Sequence, residues 1–140
     1  MRIVIINGPN LNLLGVRETS IYGETPFEVY FHSLTTQFPD HQLEYYQSNV
    51  EGDIVNKLQE VGFSVQGIIL NGGAYTHTSI AIADCIVSID SPVVEVHISN
   101  IHAREDFRHK SLTARHCQGV ITGFGLEGYT LALVHFLSQR

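Results

Sequence analysis

Glu95-Val96-His97 places a carboxylate and an imidazole two residues apart, and on an extended chain residues two apart point to the same face. A carboxylate beside an imidazole fixes its tautomer and raises its affinity for a proton, which makes a general acid suited to neutral pH. The plainer alternative is a structural histidine at a strand end. A second stretch, Asn10 to Gly23, is long for a strand–helix connection, and connections of that length tend to be lids or binding loops. It carries Arg17 and Tyr22, which can meet across a bent loop. A guanidinium near a phenol favours the phenolate, a base. The alternative is a surface tyrosine packed over apolar loop residues. The third stretch, Asn71-Gly72-Gly73-Ala74-Tyr75-Thr76-His77-Thr78-Ser79, offers backbone donors, an amide and an imidazole ahead of a helix. Helix N-termini hold anions well. Its bland version is an ordinary strand–turn–helix with Thr78 or Thr76 as cap.

Other chemistries fit less well. A metal site would recruit His102 and His109 beside His97 and Glu95, but no HExxH or cysteine spacing supports it. Gly123-Phe124-Gly125-Leu126-Glu127-Gly128 matches the dinucleotide pattern, yet only twelve residues follow it, with no further strand and no acidic residue. Tight turning and close helix–sheet packing account for those glycines. There is no GxSxG elbow, and Cys117 beside His116 would point the opposite way on a strand, which disfavours a nucleophilic mechanism.

The elements that must position these groups alternate along the chain. Apolar, β-branched runs predict strands at Arg2–Ile6, Leu43–Gln47, Ile68–Leu70, Val93–Ile98 and Val120–Thr122. Helical spacing predicts helices from Pro26, capped by Thr25 with Glu28 closing a capping box, to near Pro39, then over Glu51–Val61, Thr78–Ile89 and Gly125–Leu137. Short buried strands separated by helices predict a parallel α/β sheet covered on both faces, in the flavodoxin-like order 2-1-3-4-5. In such sheets ligands bind beyond the carboxyl ends of the strands where the order reverses. That rule selects the segments after strands 1, 3 and 4, which are Asn7–Gly23, Asn71–His77 and His97–Lys110.

Composition narrows the setting. The 140 residues, 44% hydrophobic and 16% charged, predict one catalytic domain able to bury a core without staples. Two cysteines, Cys85 and Cys117, are too few for a disulfide framework and predict reduced thiols in a cytoplasmic protein. The opening apolar run, Ile3 to Ile6, is too short for a leader, and no stretch is long enough to span a membrane. A net charge of −6 argues against nucleic acid as partner. Three of the six arginines, Arg17, Arg104 and Arg108, nevertheless fall in polar loops where a small anion could bind.

Taken together, Ile6-Asn7-Gly8-Pro9-Asn10-Leu11-Asn12-Leu13-Leu14-Gly15 with Arg17 and Tyr22-Gly23, then Ala74-Tyr75-Thr76-His77-Thr78-Ser79, then Glu95-Val96-His97-Ile98-Ser99-Asn100-Ile101-His102-Ala103-Arg104-Glu105 with Arg108, resemble the type II 3-dehydroquinate dehydratases. The resemblance runs through essentially the whole chain. It implies a cofactor-free, metal-free lyase that converts 3-dehydroquinate to 3-dehydroshikimate and water through an enolate, in the shikimate pathway or in quinate breakdown. It also implies a homo-oligomer, a dodecamer of four trimers. By resemblance Tyr22 removes the C2 proton with help from Arg17, and Asn10 steadies the enolate through a water. His97, backed by Glu95, protonates the departing C1 hydroxyl. Asn71 and the backbone donors of Ile98 and Ser99 hold the carboxylate end, His77 and Arg108 take ring hydroxyls, and Asp84 reaches a neighbouring subunit's site. One departure stands out: the family often has proline where Gly72 stands, which puts the rigidity of that turn in question.

Two other classes remain open from the residues alone. A flavin- or nucleotide-binding module would need a phosphate cradle after strand 1, where Pro9, Leu11, Leu13 and Leu14 are poorly suited. A metal-dependent hydrolase would use His97, His102 and Glu95.

Overall fold

The structure, a computed structural model, describes residues 1–16 and 18–139. Five strands, β1 (Arg2–Asn7), β2 (Gln42–Gln47), β3 (Gly67–Asn71), β4 (Val93–His97) and β5 (Gly119–Thr122), form one sheet in the order β2-β1-β3-β4-β5. Every pairing is parallel, as the alternating strand and helix signals predict. The helices are α1 (Thr19–Tyr22), α2 (Phe27–Gln37), α3 (Glu51–Val61), α4 (Ile80–Ser88) and α5 (Glu127–Leu137). None of them is long and apolar enough to cross a membrane.

Period-two alternation divides the core between the two faces. Ile3 and Ile5 of β1, Ile69 of β3, and Val94 and Val96 of β4 pack with Phe27 and Leu34 of α2 and with Tyr129, Leu133 and Phe136 of α5. Val4, Ile6, Ile68, Leu70 and Val93 point the other way, onto Ile54 and Leu58 of α3 and Ile82 and Ile86 of α4. Because β1, β3 and β4 are covered on both faces, their inner residues are continuously buried, which is why they read as unbroken apolar runs. Register then brings Asn7 level with Asn71, and His97 level with Thr122, at the carboxyl edge.

Three local expectations are corrected. Thr25 does not cap α2. Pro26 holds an extended backbone (φ −61°, ψ 146°) and is itself the residue before the helix, so no capping box forms. Neither Thr76 nor Thr78 caps α4, which begins two residues later than expected; the Ser79 hydroxyl accepts the Ile82 N–H at 2.9 Å instead. The last helix opens at Glu127, after the glycine turn and not within it. Gly128 there lies against the sheet, where an added Cβ would come within 3.2 Å of Val96 Cγ1. That is the close helix–sheet packing the glycine pattern suggested.

Candidate active site

The three segments selected by the strand-end rule converge on one cleft. Its walls come from Pro9, Asn10, Leu11, Glu18 and Tyr22 after β1, from Asn71 ending β3 with Gly73, Ala74 and His77 beyond it, and from His97 ending β4 with Ile98, Ser99, Ile101, Arg104 and Arg108 beyond it. The first two segments touch because Gly8 has no side chain: a Cβ there would sit 2.4 Å from the Gly72 carbonyl oxygen. Buried Leu11 and Leu14 anchor the base of the long β1–α2 connection, which folds into a 3-10 turn (Leu11–Leu13) and the single turn α1. Among the described residues the only two non-glycine positive φ angles belong to Asn10 (69°) and Glu18 (44°), both in the cleft wall. Such backbone strain concentrates where side chains must be aimed at a ligand. Gly72 takes φ −71°, the angle a proline ring would impose, so the turn keeps that path without the ring.

His97 and Glu95 share a face of β4, and His97 Nε2 donates to Glu95 Oε2 at 2.8 Å. That leaves Nδ1 as the ring nitrogen available to a ligand. Glu95 lies behind His97, fully buried, and has two further donors: the Ser111 hydroxyl at 3.1 Å and the Thr113 hydroxyl. Burial pushes the Glu95 carboxyl up, but the His97 bond and charge, with the Thr113 and Ser111 bonds, outweigh it and hold the group below its usual range. The carboxylate is therefore ionised and orients the imidazole. The His77 ring stacks on His97 with centroids 6.2 Å apart. Its Nδ1 donates to the Lys110 carbonyl at 2.8 Å, leaving Nε2 as an acceptor. Burial lowers the His77 pKa, aided by the nearby His97 and Arg108 charges against the Lys110 bond and Glu95, so the neutral ring is favoured.

Tyr22 closes α1 and is half-buried. Arg17, expected as its partner, lies outside the described residues. Among the described residues Arg104 meets Tyr22: its Nη1 donates to the phenol oxygen at 2.7 Å and its guanidinium carbon lies 5.5 Å from the ring centroid. The His109 Nε2 in turn donates to the Arg104 carbonyl at 2.8 Å and fixes that backbone. Arg108 faces the cleft and also pairs with Glu105 through Nε at 2.6 Å, so its surface ion pair and its place in the wall coexist. Asp84 is exposed on α4 and takes no part in this cleft.

Arg104, Glu18, Ser111 and Thr113 were not among the predicted site residues. Arg104 had a sequence signal, being one of three arginines in polar loops; the hydroxyls of Ser111 and Thr113 had none. Among the described residues no three His, Cys, Asp or Glu side chains converge as a metal site. Both cysteines are free thiols, and burial, with the Glu95 charge, pushes Cys117 up to about 12, so it is no nucleophile at neutral pH. Wider depressions of about 380 and 440 Å³ lie at the opposite end of the sheet, around Ser91 and Pro92.

Comparison with known proteins decides what this arrangement belongs to. The family model described as dehydroquinase class II matches residues 1–137. The chain belongs to the class II dehydroquinases. A 3-dehydroquinate dehydratase of Exiguobacterium sp. is 57% identical over 134 residues, covering 95% of this chain and 92% of the relative. The type II dehydroquinase of Butyrivibrio crossotus superposes with a TM-score of 0.93 at 46% identity, covering 99% of this chain and 98% of that one. The type II dehydroquinase of Propionibacterium acnes gives 0.94 at 38% identity, covering 99% and 97%. The five-stranded parallel order is thus that of a type II dehydroquinase.

Proposed function

We propose that this chain is a single catalytic domain that dehydrates 3-dehydroquinate to 3-dehydroshikimate. Family membership supports the reaction, and one observation carries the assignment of parts: a tyrosine bonded to arginine and a histidine bonded to a buried carboxylate border the same cleft. Tyr22 acts as the base. It takes a C2 proton, and the C–H electron pair moves into an enolate at the C3 carbonyl. Arg104 stabilises negative charge on the Tyr22 oxygen, Arg17 contributes a second cation, and Asn10 steadies the enolate through a water. When the enolate collapses, the C1–O bond breaks. His97 gives its proton to the departing hydroxyl, which leaves as water, and a C1–C2 double bond conjugated with the ketone remains. Glu95 stabilises His97 while it carries the proton. Proton exchange with solvent returns Tyr22 and His97 to their starting states. Asn71 and the Ile98 and Ser99 backbone N–H groups hold the carboxylate, while Arg108 and the Nε2 acceptor of His77 take ring hydroxyls.

The same reading gives Asp84 its use. An exposed carboxylate on α4, outside its own cleft, serves a site only across a subunit boundary, which fits the trimers, four to a dodecamer, that the family resemblance implies. The enzyme works in the cytoplasm without cofactor or metal, in the shikimate pathway or in quinate breakdown. The direct test is to add 3-dehydroquinate to the purified protein and follow the ultraviolet absorbance of the conjugated enone. A steady rise proportional to protein concentration and unaffected by a chelator is expected; no rise refutes the assignment.

A further inference from the structure

Tyr129 stands in the first turn of α5, wholly buried, with its ring edge-on to Phe27 at a centroid distance of 4.9 Å. Its hydroxyl reaches the carboxyl edge of the sheet at the point where register sets Asn7 of β1 level with Asn71 of β3. Both asparagines point to this face, because they share the parity of Ile5 and Ile69, which pack beneath α5. Asn71 Nδ2 donates to the Tyr129 hydroxyl oxygen at 2.8 Å, and that hydroxyl donates to Asn7 Oδ1 at 2.8 Å. The Gly73 backbone N–H donates to Asn71 Oδ1 at 3.1 Å.

The direction of this chain follows from one group that can only donate. The Gly73 N–H must face an acceptor, so the Asn71 oxygen points to it and the Asn71 nitrogen points to Tyr129. The tyrosine oxygen, already accepting there, must send its proton onward, and Asn7 supplies the oxygen that takes it. Deep burial pushes the Tyr129 phenol far above its ordinary range, so it keeps this proton. Asn71 is thereby held at both ends of its amide, with one N–H and one oxygen lone pair left for a ligand in the cleft. We infer that Tyr129, with Asn7 behind it, is a positioning residue that sets the Asn71 amide for binding the substrate carboxylate. The inference rests on the reading of Asn71 as a substrate contact. It adds a specific dependence on a hydroxyl in the core that touches no substrate.

Steady-state kinetics with 3-dehydroquinate on Tyr129→Phe, Asn71→Ala and the double variant test it, with thermal unfolding as a check on folding. Tyr129→Phe keeps the ring and loses one hydroxyl, so KM is expected to rise about tenfold, the worth of one hydrogen bond, with kcat within about twofold. Asn71→Ala is expected to raise KM at least as much, and the double variant no further than Asn71→Ala alone, because the tyrosine acts through the amide. Asn7→Ala, which leaves the Tyr129 ring in place, is expected to raise KM in the same way and serves if Tyr129→Phe does not fold. An Asn71→Ala enzyme with unchanged KM overturns the substrate-contact reading and this inference with it. A raised KM in Asn71→Ala, with KM unchanged in Tyr129→Phe and in Asn7→Ala, overturns the positioning inference alone. So does a double variant in which the two effects simply add.

Discussion

The Arg104 guanidinium donates to the Tyr22 hydroxyl at 2.7 Å, joining residues 82 positions apart in the chain. A cation bonded to that oxygen stabilises the negative charge a tyrosine must carry to act as a base. Arg104→Lys keeps the charge but loses the planar fork that holds it over the ring. Turnover is expected to fall about tenfold or more, and Arg104→Met to cost more still, with unfolding temperatures little changed. Turnover in Arg104→Met equal to that of the unsubstituted enzyme would remove Arg104 from the mechanism.

His97 is expected to act in proton transfer. His97→Asn should lower kcat by about 10² to 10⁴, the usual contribution of a general acid, with KM little altered. Near-normal kcat would show that the leaving hydroxyl takes its proton from elsewhere.

Glu95 links the site to acid stability. Its folded pKa lies below the ordinary 4.5 because the His97, Thr113 and Ser111 bonds outweigh the burial that pushes it up. The unfolded chain therefore takes up this proton first as pH falls, so the stabilisation is complete above about 4.5 and is lost as pH drops through the folded value. Thr113→Val removes one donor and raises that folded value. The acid unfolding midpoint, followed by circular dichroism, is expected to move to higher pH than in the unsubstituted protein. An unmoved midpoint would mean that the Thr113 bond does not hold the carboxylate.

Arg108 faces the cleft while pairing with Glu105. Both partners of that pair are open to solvent, which screens their attraction, so its loss should leave stability little changed. Arg108→Ala is expected to fold normally and to bind a substrate-like carboxylic acid at least about tenfold more weakly, by calorimetry. Equal affinity would leave Arg108 with the ion pair alone.

The sheet was legible because β1, β3 and β4 are covered on both faces, so runs such as Ile3–Ile6 and Ile68–Leu70 carry no polar interruption. The three cleft segments followed from the strand-end rule, and Glu95–His97 followed from period two within one strand. Arg104 with Tyr22, Thr113 with Glu95, and Tyr129 with Asn71 were not legible, since they join separate elements and leave no periodic trace. Helix caps were misplaced for a different reason. Thr25, Thr76, Thr78 and Ser79 all offer a hydroxyl, and only the backbone path decides which oxygen meets a free N–H; at α4 it is Ser79.

The dehydration mechanism depends most on Tyr22 as the base, and Tyr22→Phe tests that with the loss of a single oxygen. With 3-dehydroquinate as substrate and enone absorbance as readout, kcat is expected to fall by at least about 10² to 10⁴, while thermal unfolding stays close to that of the unsubstituted protein. A folded Tyr22→Phe enzyme with kcat within about threefold of the unsubstituted value would contradict proton removal by Tyr22.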